Sequence, residues 1–129
     1  MRRIMGLSLL VFLVGCGDET LTGYADPAAV YVLEEIDGVA FPARATIQFD
    51  QPGQILGEAP CNRYSGPQSA PYPWFEPGPL AVTRRACPDL AAEGQFLAAL
   101  QAMRIAEVNG PVLILSTETG REMVFRARS

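Results

Sequence analysis

Three cysteines, fourteen carboxylates and ten arginines are the groups with which this chain of 129 residues could do chemistry. It has no histidine and no lysine. Without imidazole there is no Ser-His-Asp triad, no Cys-His pair, no HExxH zinc site and little neutral-pH acid–base chemistry. Fourteen carboxylates leave catalysis by a carboxylate pair open, but no pair is singled out by its spacing. No P-loop and no GxGxxG is present, and two thiolates without His make a poor metal site. No catalytic residue, metal or cofactor is therefore assigned, and an enzyme is not expected.

Cys16 has a different reading from the other two cysteines. Met1-Arg2-Arg3 is a short positive stretch, and Ile4–Val14 is an apolar run broken only by Gly6 and Ser8. Spanning a bilayer takes about 20 residues, so this run suits a signal peptide instead. Leu13-Val14-Gly15-Cys16 resembles the lipobox of bacterial lipoproteins at each position. The resemblance implies removal of residues 1–15 and a lipidated Cys16, with the domain in the periplasm of the cell envelope, an oxidising space. An Asp directly after the lipidated Cys marks inner-membrane retention. Here that position is Gly17, which favours the outer membrane, while Asp18 pulls the other way. Residues 16–28 then read as lipidated Cys and polar tether, the last twelve of them reaching roughly 40 Å when extended. Residues 29–129 are left as one domain.

The formal charge of −4 becomes −6 once Arg2 and Arg3, two positive charges, are removed. That balance argues against nucleic acid as a partner and against a polybasic membrane patch. The expected partners are the membrane, through Cys16, and an envelope protein or a hydrophobic ligand.

With Cys16 lipidated, Cys61 and Cys87 remain, with one possible disulfide between them. Two reduced, buried thiols are the alternative.

The elements that must position these groups follow from periodicity. Residues 29–37 are β-branched and aromatic and end at Asp37-Gly38, a turn. In 44–50, Ala45, Ile47 and Phe49 share one face while Thr46 and Gln48 take the other, and 54–58 returns as a hairpin partner. Residues 59–79 hold six prolines and read as a loop unable to form a helix or a central strand. Residues 80–84 resume as a strand. A helix over 89–104 starts at Pro88-Asp89 and shows Leu90, Phe96, Leu97, Leu100 and Met103 on one face. Two strands flank Asn109-Gly110, read as the turn, and a last strand spans 121–127. About seven short strands and one helix predict an α+β fold: a half-open antiparallel β-barrel or curved sheet with one helix packed on it.

Several pieces carry a family likeness in order. They are Asp37-Gly38, the Ala45–Phe49 strand, Cys61-Asn62 with Gly66 four residues on, Leu80-Ala81-Val82-Thr83 with Cys87, Glu93 before Phe96-Leu97 and Leu100, and Leu113-Ile114-Leu115. Together they resemble the META/HslJ domain of bacterial envelope lipoproteins over residues 30–127. Tyr31 stands where that family usually has Trp, Ala59-Pro60 replaces a Gly before Cys61, and the proline-rich stretch is longer. The resemblance implies a half-open barrel with one helix, an envelope-stress setting, and no known reaction. A similar half-open barrel occurs in pilotin lipoproteins, a likeness of fold alone.

The candidate binding residues are Asn62 and Arg63 beside Cys61, and the aromatics Tyr72, Trp74 and Phe75. Each has a plainer reading. Asn62 fixes a turn, Glu93 bonds loop amides near Cys87, the aromatics cap an open sheet end, and Arg84 and Arg85 lie on a solvated strand face. The function read from the sequence is a binding or chaperone-like module, with a small carboxylate-dependent hydrolase or a passive structural envelope protein as alternatives.

Overall fold

The computed structural model describes residues 18–128; the signal peptide and Cys16 lie outside them. The larger sheet is antiparallel. It is built on β1 (Val30–Ile36), which pairs with β2 (Val39–Ala40), β3 (Thr46–Ile47) and β9 (Glu122–Arg128). From β9 the order continues to β8 (Val112–Ser116) and β7 (Ile105–Asn109). β4 (Gln54–Glu58), β5 (Arg63–Pro67) and β6 (Ala81–Val82) form a second, three-stranded sheet. A bridge from Gln48 to Leu56 joins the two sheets on one side. The sheets curve around one core without closing, and α1 (Leu90–Ala102) packs on them.

Alternation explains which residues enter the core. Tyr31 and Leu33 point inward from β1, Met123 and Phe125 from β9, and Leu113 and Leu115 from β8. Strict alternation would turn Ile36 outward. A bulge at Glu34 shifts the register between Leu33 and Glu35, so Ile36 returns to the buried face. Asp37 and Gly38 both adopt positive φ, which closes the tight β1–β2 hairpin. The helix buries Glu93, Phe96, Ala99 and Leu100, and the Phe96 ring meets Tyr64 edge-on at 5.6 Å. The Arg104 guanidinium donates to the carbonyls of Gln101 at 2.8 Å and Met103 at 2.7 Å, placing a cation at the negative end of α1.

Several expectations need correction. Residues 18–25 are not tether: Leu21 is fully buried in the core, and the Tyr72 amide donates to the Glu19 carbonyl at 2.7 Å. Leu21, Tyr24 and Ala25, scattered in a polar stretch, gave no periodic signal. The proline-rich stretch does contain a central strand, because β5 lies between β4 and β6. Its prolines fall just before it, at Pro60, and at its last residue, Pro67, so the ladder between them keeps its donors. Beyond β5 the same stretch folds back on itself through a Gln68–Pro77 bridge. Its far tip then pairs with the β7 edge, with Phe75 N donating to Arg104 O at 2.8 Å and Ala106 N to Pro73 O at 2.7 Å. The β7–β8 turn is Gly110-Pro111, since Asn109 still pairs with Val112 and only Gly110 has positive φ. Leu90 is half exposed rather than on the buried helix face.

Thr46, expected to face outward, is buried and ties the two sheets together. Its hydroxyl accepts from Glu58 N at 2.9 Å, and its carbonyl accepts from the buried Tyr64 hydroxyl at 2.6 Å. Gly57 makes room for this junction: a methyl group there would overlap the Thr46 carbonyl and sit 2.7 Å from the Tyr64 oxygen. Gly57→Ala is expected to destabilise the domain by about 2 kcal/mol through overpacking, measured as a lowered urea midpoint at unchanged slope.

Burial also raises the Tyr64 phenol above its usual value of 10.0. Below pH 10 both folded and unfolded chains keep this proton, so its contribution is complete. As pH rises past 10 the unfolded chain ionises first and stability falls, by about 1.4 kcal/mol per pH unit. Urea midpoints measured from pH 9 to 11.5 should show this slope, and Tyr64→Phe should remove it.

Candidate functional site

The site lies where β5 begins, opposite the loop joining β6 to α1. Cys61 and Cys87 are disulfide-bonded, with Cα atoms 5.6 Å apart. Asn62 follows Cys61 and is buried, as is Glu93 one turn into the helix. Glu93 Oε1 accepts from the amides of Cys61 at 3.0 Å and Asn62 at 2.8 Å, and Oε2 accepts from Asn62 Nδ2 at 2.7 Å. Asn62 Nδ2 also donates to Arg85 O at 2.9 Å. Asn62 Oδ1 accepts from Arg85 N at 2.6 Å and Thr83 Oγ1 at 3.0 Å. Every polar atom of the Asn62 and Glu93 side chains is thus engaged in holding the two loops together. The plainer readings of both residues describe their surroundings.

What this scaffold presents is a cleft of about 650 Å³. Its walls are Glu58, the chain from Ala59 to Asn62, Arg63, and Thr83 to Arg85. Arg63, Arg84 and Arg85 are exposed. Among the described residues none of their guanidinium groups has a carboxylate partner. Among the other described arginines, Arg128 at the end of β9 likewise has no carboxylate partner, and four are engaged. Arg44 pairs with Glu58 at 3.8 Å, Arg121 with Asp37 at 3.2 Å, Arg126 with Glu34 at 2.9 Å, and Arg104 caps the helix. The cleft therefore concentrates positive charge on an acidic domain. Beside it, sharing Arg63 and Thr83, a shallower apolar surface of about 400 Å³ covers Leu56, Ala81 and Val82.

The structure brings Asn62 and Arg63 together with the disulfide and separates them from the aromatic candidates. Phe75 is a core residue, fully buried against the β7 side, and is withdrawn from any binding surface. Tyr72 is half-buried, stacked on Tyr24 with ring centroids 4.2 Å apart, and its hydroxyl accepts from Val108 N at 3.1 Å. Only Trp74 of the three is exposed. The sequence reading missed Arg84 and Arg85 as members of the cleft. The signal was available: Thr83 N donates to Arg63 O at 3.0 Å, so recognising β5 as a strand would have brought the Arg-Arg pair beside Arg63. Among the described residues, no group of three or more His, Cys, Asp or Glu side chains could hold a metal ion.

Two curved antiparallel sheets, one covering helix and a disulfide between the β5 start and the helix entry define a small α+β domain class. Within that class the chain belongs to the META domain family, whose profile matches residues 25–129. It is similar to a protein from Burkholderia xenovorans solved by NMR, with 25% identity and a TM-score of 0.64 over 84% of this chain and 86% of the other. A second NMR structure, 22% identical with a TM-score of 0.59, aligns over 78% of this chain and 89% of the other. A crystal structure of a DUF4847 family protein from Bacteroides vulgatus shares the fold at 19% identity and a TM-score of 0.51, over 64% and 57% of the two chains. No curated protein matches the chain significantly.

Proposed function

We propose that this META domain is a non-catalytic binding module, held on the cell envelope by lipid on Cys16, that recognises an anionic group in the Arg63–Arg84–Arg85 cleft. The carrying observation is the three guanidinium groups lining one cleft without carboxylate partners among the described residues. Guanidinium forks match phosphate and carboxylate geometry, so the ligand class is a phosphate- or carboxylate-bearing envelope component, or an acidic segment of an envelope protein. A binding role in envelope stress fits this reading better than hydrolysis. The buried carboxylate at the site, Glu93, already accepts three hydrogen bonds from the scaffold, and Glu58 is paired with Arg44. The domain faces the periplasm, with the outer membrane favoured.

Native mass spectrometry of the exported, processed protein tests this. The expected spectrum carries diacylglycerol at Cys16, lacks two hydrogens at Cys61 and Cys87, and retains an anionic adduct that the Arg63→Gln/Arg84→Gln/Arg85→Gln variant loses. A mass without lipid would end the anchoring part, and an adduct retained equally by the variant would end the cleft.

A further inference from the structure

We propose that the pole of the domain bearing Tyr24 and Trp74 sits in the lipid–water interface of the membrane that holds Cys16, with the arginine cleft turned away from it. The inference rests on the anchored reading above and adds an orientation to it.

The N-terminal segment is tied to that pole. Thr20 bridges to Pro71, the Tyr72 amide donates to Glu19 O at 2.7 Å, and Leu21 is in the core. The chain is therefore fixed to the tip of the proline-rich hairpin almost from Asp18 onward. Cys16 precedes Asp18 by two residues, a reach of about 7 Å. A twelve-residue tether would leave the domain free to tumble, whereas this leash holds one pole at the bilayer surface.

That pole exposes two aromatic rings. Tyr24 is 54% and Trp74 52% exposed. Tyr24 stacks on Tyr72, and Trp74 lies two residues beyond it in the same tip. Both are held firmly. Trp74 N donates to Pro71 O at 2.8 Å, and the next residue, Phe75, is anchored in the core. Tyr and Trp, apolar bodies with one polar atom each, concentrate at the headgroup level of membranes. The exposed charges around it are mixed and on balance acidic, Glu19, Asp26, Glu76 and Glu107 against Arg104, so the rings, and not attraction to anionic headgroups, supply the contact.

Arg63 opens β5, whereas the tip at Pro71 comes after β5 has ended at Pro67 and the chain has passed the Gln68–Pro77 bridge, so cleft and tip lie at opposite ends of that strand. An anchor at the tip leaves the three arginines facing the aqueous side, open to a ligand that is not the protein's own membrane.

Trp74 is the sole tryptophan of the chain, so its fluorescence reports this contact directly. The processed, lipidated protein is placed on phosphatidylcholine vesicles, some carrying lipids brominated near the headgroup end of the acyl chains. Lipid on Cys16 is verified separately, by mass and by flotation with the vesicles. The expected result is a blue-shifted emission, most of it quenched by the brominated lipid, and unchanged when phosphatidylglycerol is added. A protein that floats with the vesicles but keeps a water-exposed, unquenched Trp74 overturns the docking and leaves the anchor standing. Quenching that appears only with phosphatidylglycerol also overturns it, because the arginines would then face the membrane. A protein without lipid that does not float removes the anchor, and this orientation with it.

Discussion

Glu93→Ala is expected to destabilise the domain by about 4 kcal/mol. The carboxylate accepts from two backbone amides and one side-chain amide in a buried corner, at 3.0, 2.8 and 2.7 Å. Each buried donor left without a partner costs about 1–3 kcal/mol, and the charged acceptor makes these bonds stronger than neutral ones. Truncation also opens space beneath Asn62. Glu93→Gln is milder, at about 2 kcal/mol, for a geometric reason. Its remaining oxygen can still accept from the Cys61 and Asn62 amides, but its NH₂ then faces Asn62 Nδ2, donor against donor. Asn62 is unable to flip in response, because its oxygen already accepts from Arg85 N and Thr83 Oγ1. Urea unfolding of both variants gives the ordering. Anion binding by folded Glu93→Gln should match wild type, as expected of a residue that supports the cleft without touching the ligand.

Removing the disulfide, by Cys61→Ala with Cys87→Ala, is expected to cost about 3.5 kcal/mol. The closed loop spans 26 residues, and chain entropy lost from the unfolded state gives that figure. Reduction of the wild-type protein should lower the urea midpoint by a similar free energy. The two effects are coupled. The disulfide holds Cys61 in place while Glu93 accepts from the Cys61 amide. Without the cross-link the β5 start can relax and offer its amides to water. The combined variant should therefore lose less than the sum of the parts, with a coupling of about 1 kcal/mol in a double-mutant cycle.

The sequence was most legible where a periodic pattern met a covalent or conformational marker. Asp37-Gly38 marked a turn that the structure closes with two positive φ angles, and Phe96, Leu100 and Met103 marked the buried helix face. The single Cys61–Cys87 pairing followed from setting Cys16 aside and is present in the structure. What escaped was set by tertiary contact. Leu21 and Ala25 are scattered among polar residues, and their fit into the core, with the Thr20–Pro71 bridge, makes residues 18–25 part of the domain. β5 was hidden because six prolines were read as one block, although their positions leave Cys61 to Gly66 free to pair. Missing β5 also hid the cleft, since the β5–β6 pairing, with the Asn62–Arg85 hydrogen bonds, brings Arg84 and Arg85 to Arg63. Phe75 shows the opposite error. An aromatic in a proline-rich loop reads as surface, yet the β7 edge draws that loop inward and buries the ring.

In the proposed function the disulfide corner is scaffold and the three arginines do the binding. The most direct test is a pyrophosphate titration followed by backbone amide chemical shifts, comparing wild type with Arg63→Gln/Arg84→Gln/Arg85→Gln. All three side chains are exposed, so the variant should keep its urea midpoint. Shifts confined to residues 59–63 and 83–86, weakened by added salt and lost in the variant, are the predicted result. Shifts that persist in the variant, or that map elsewhere on the domain, would contradict it.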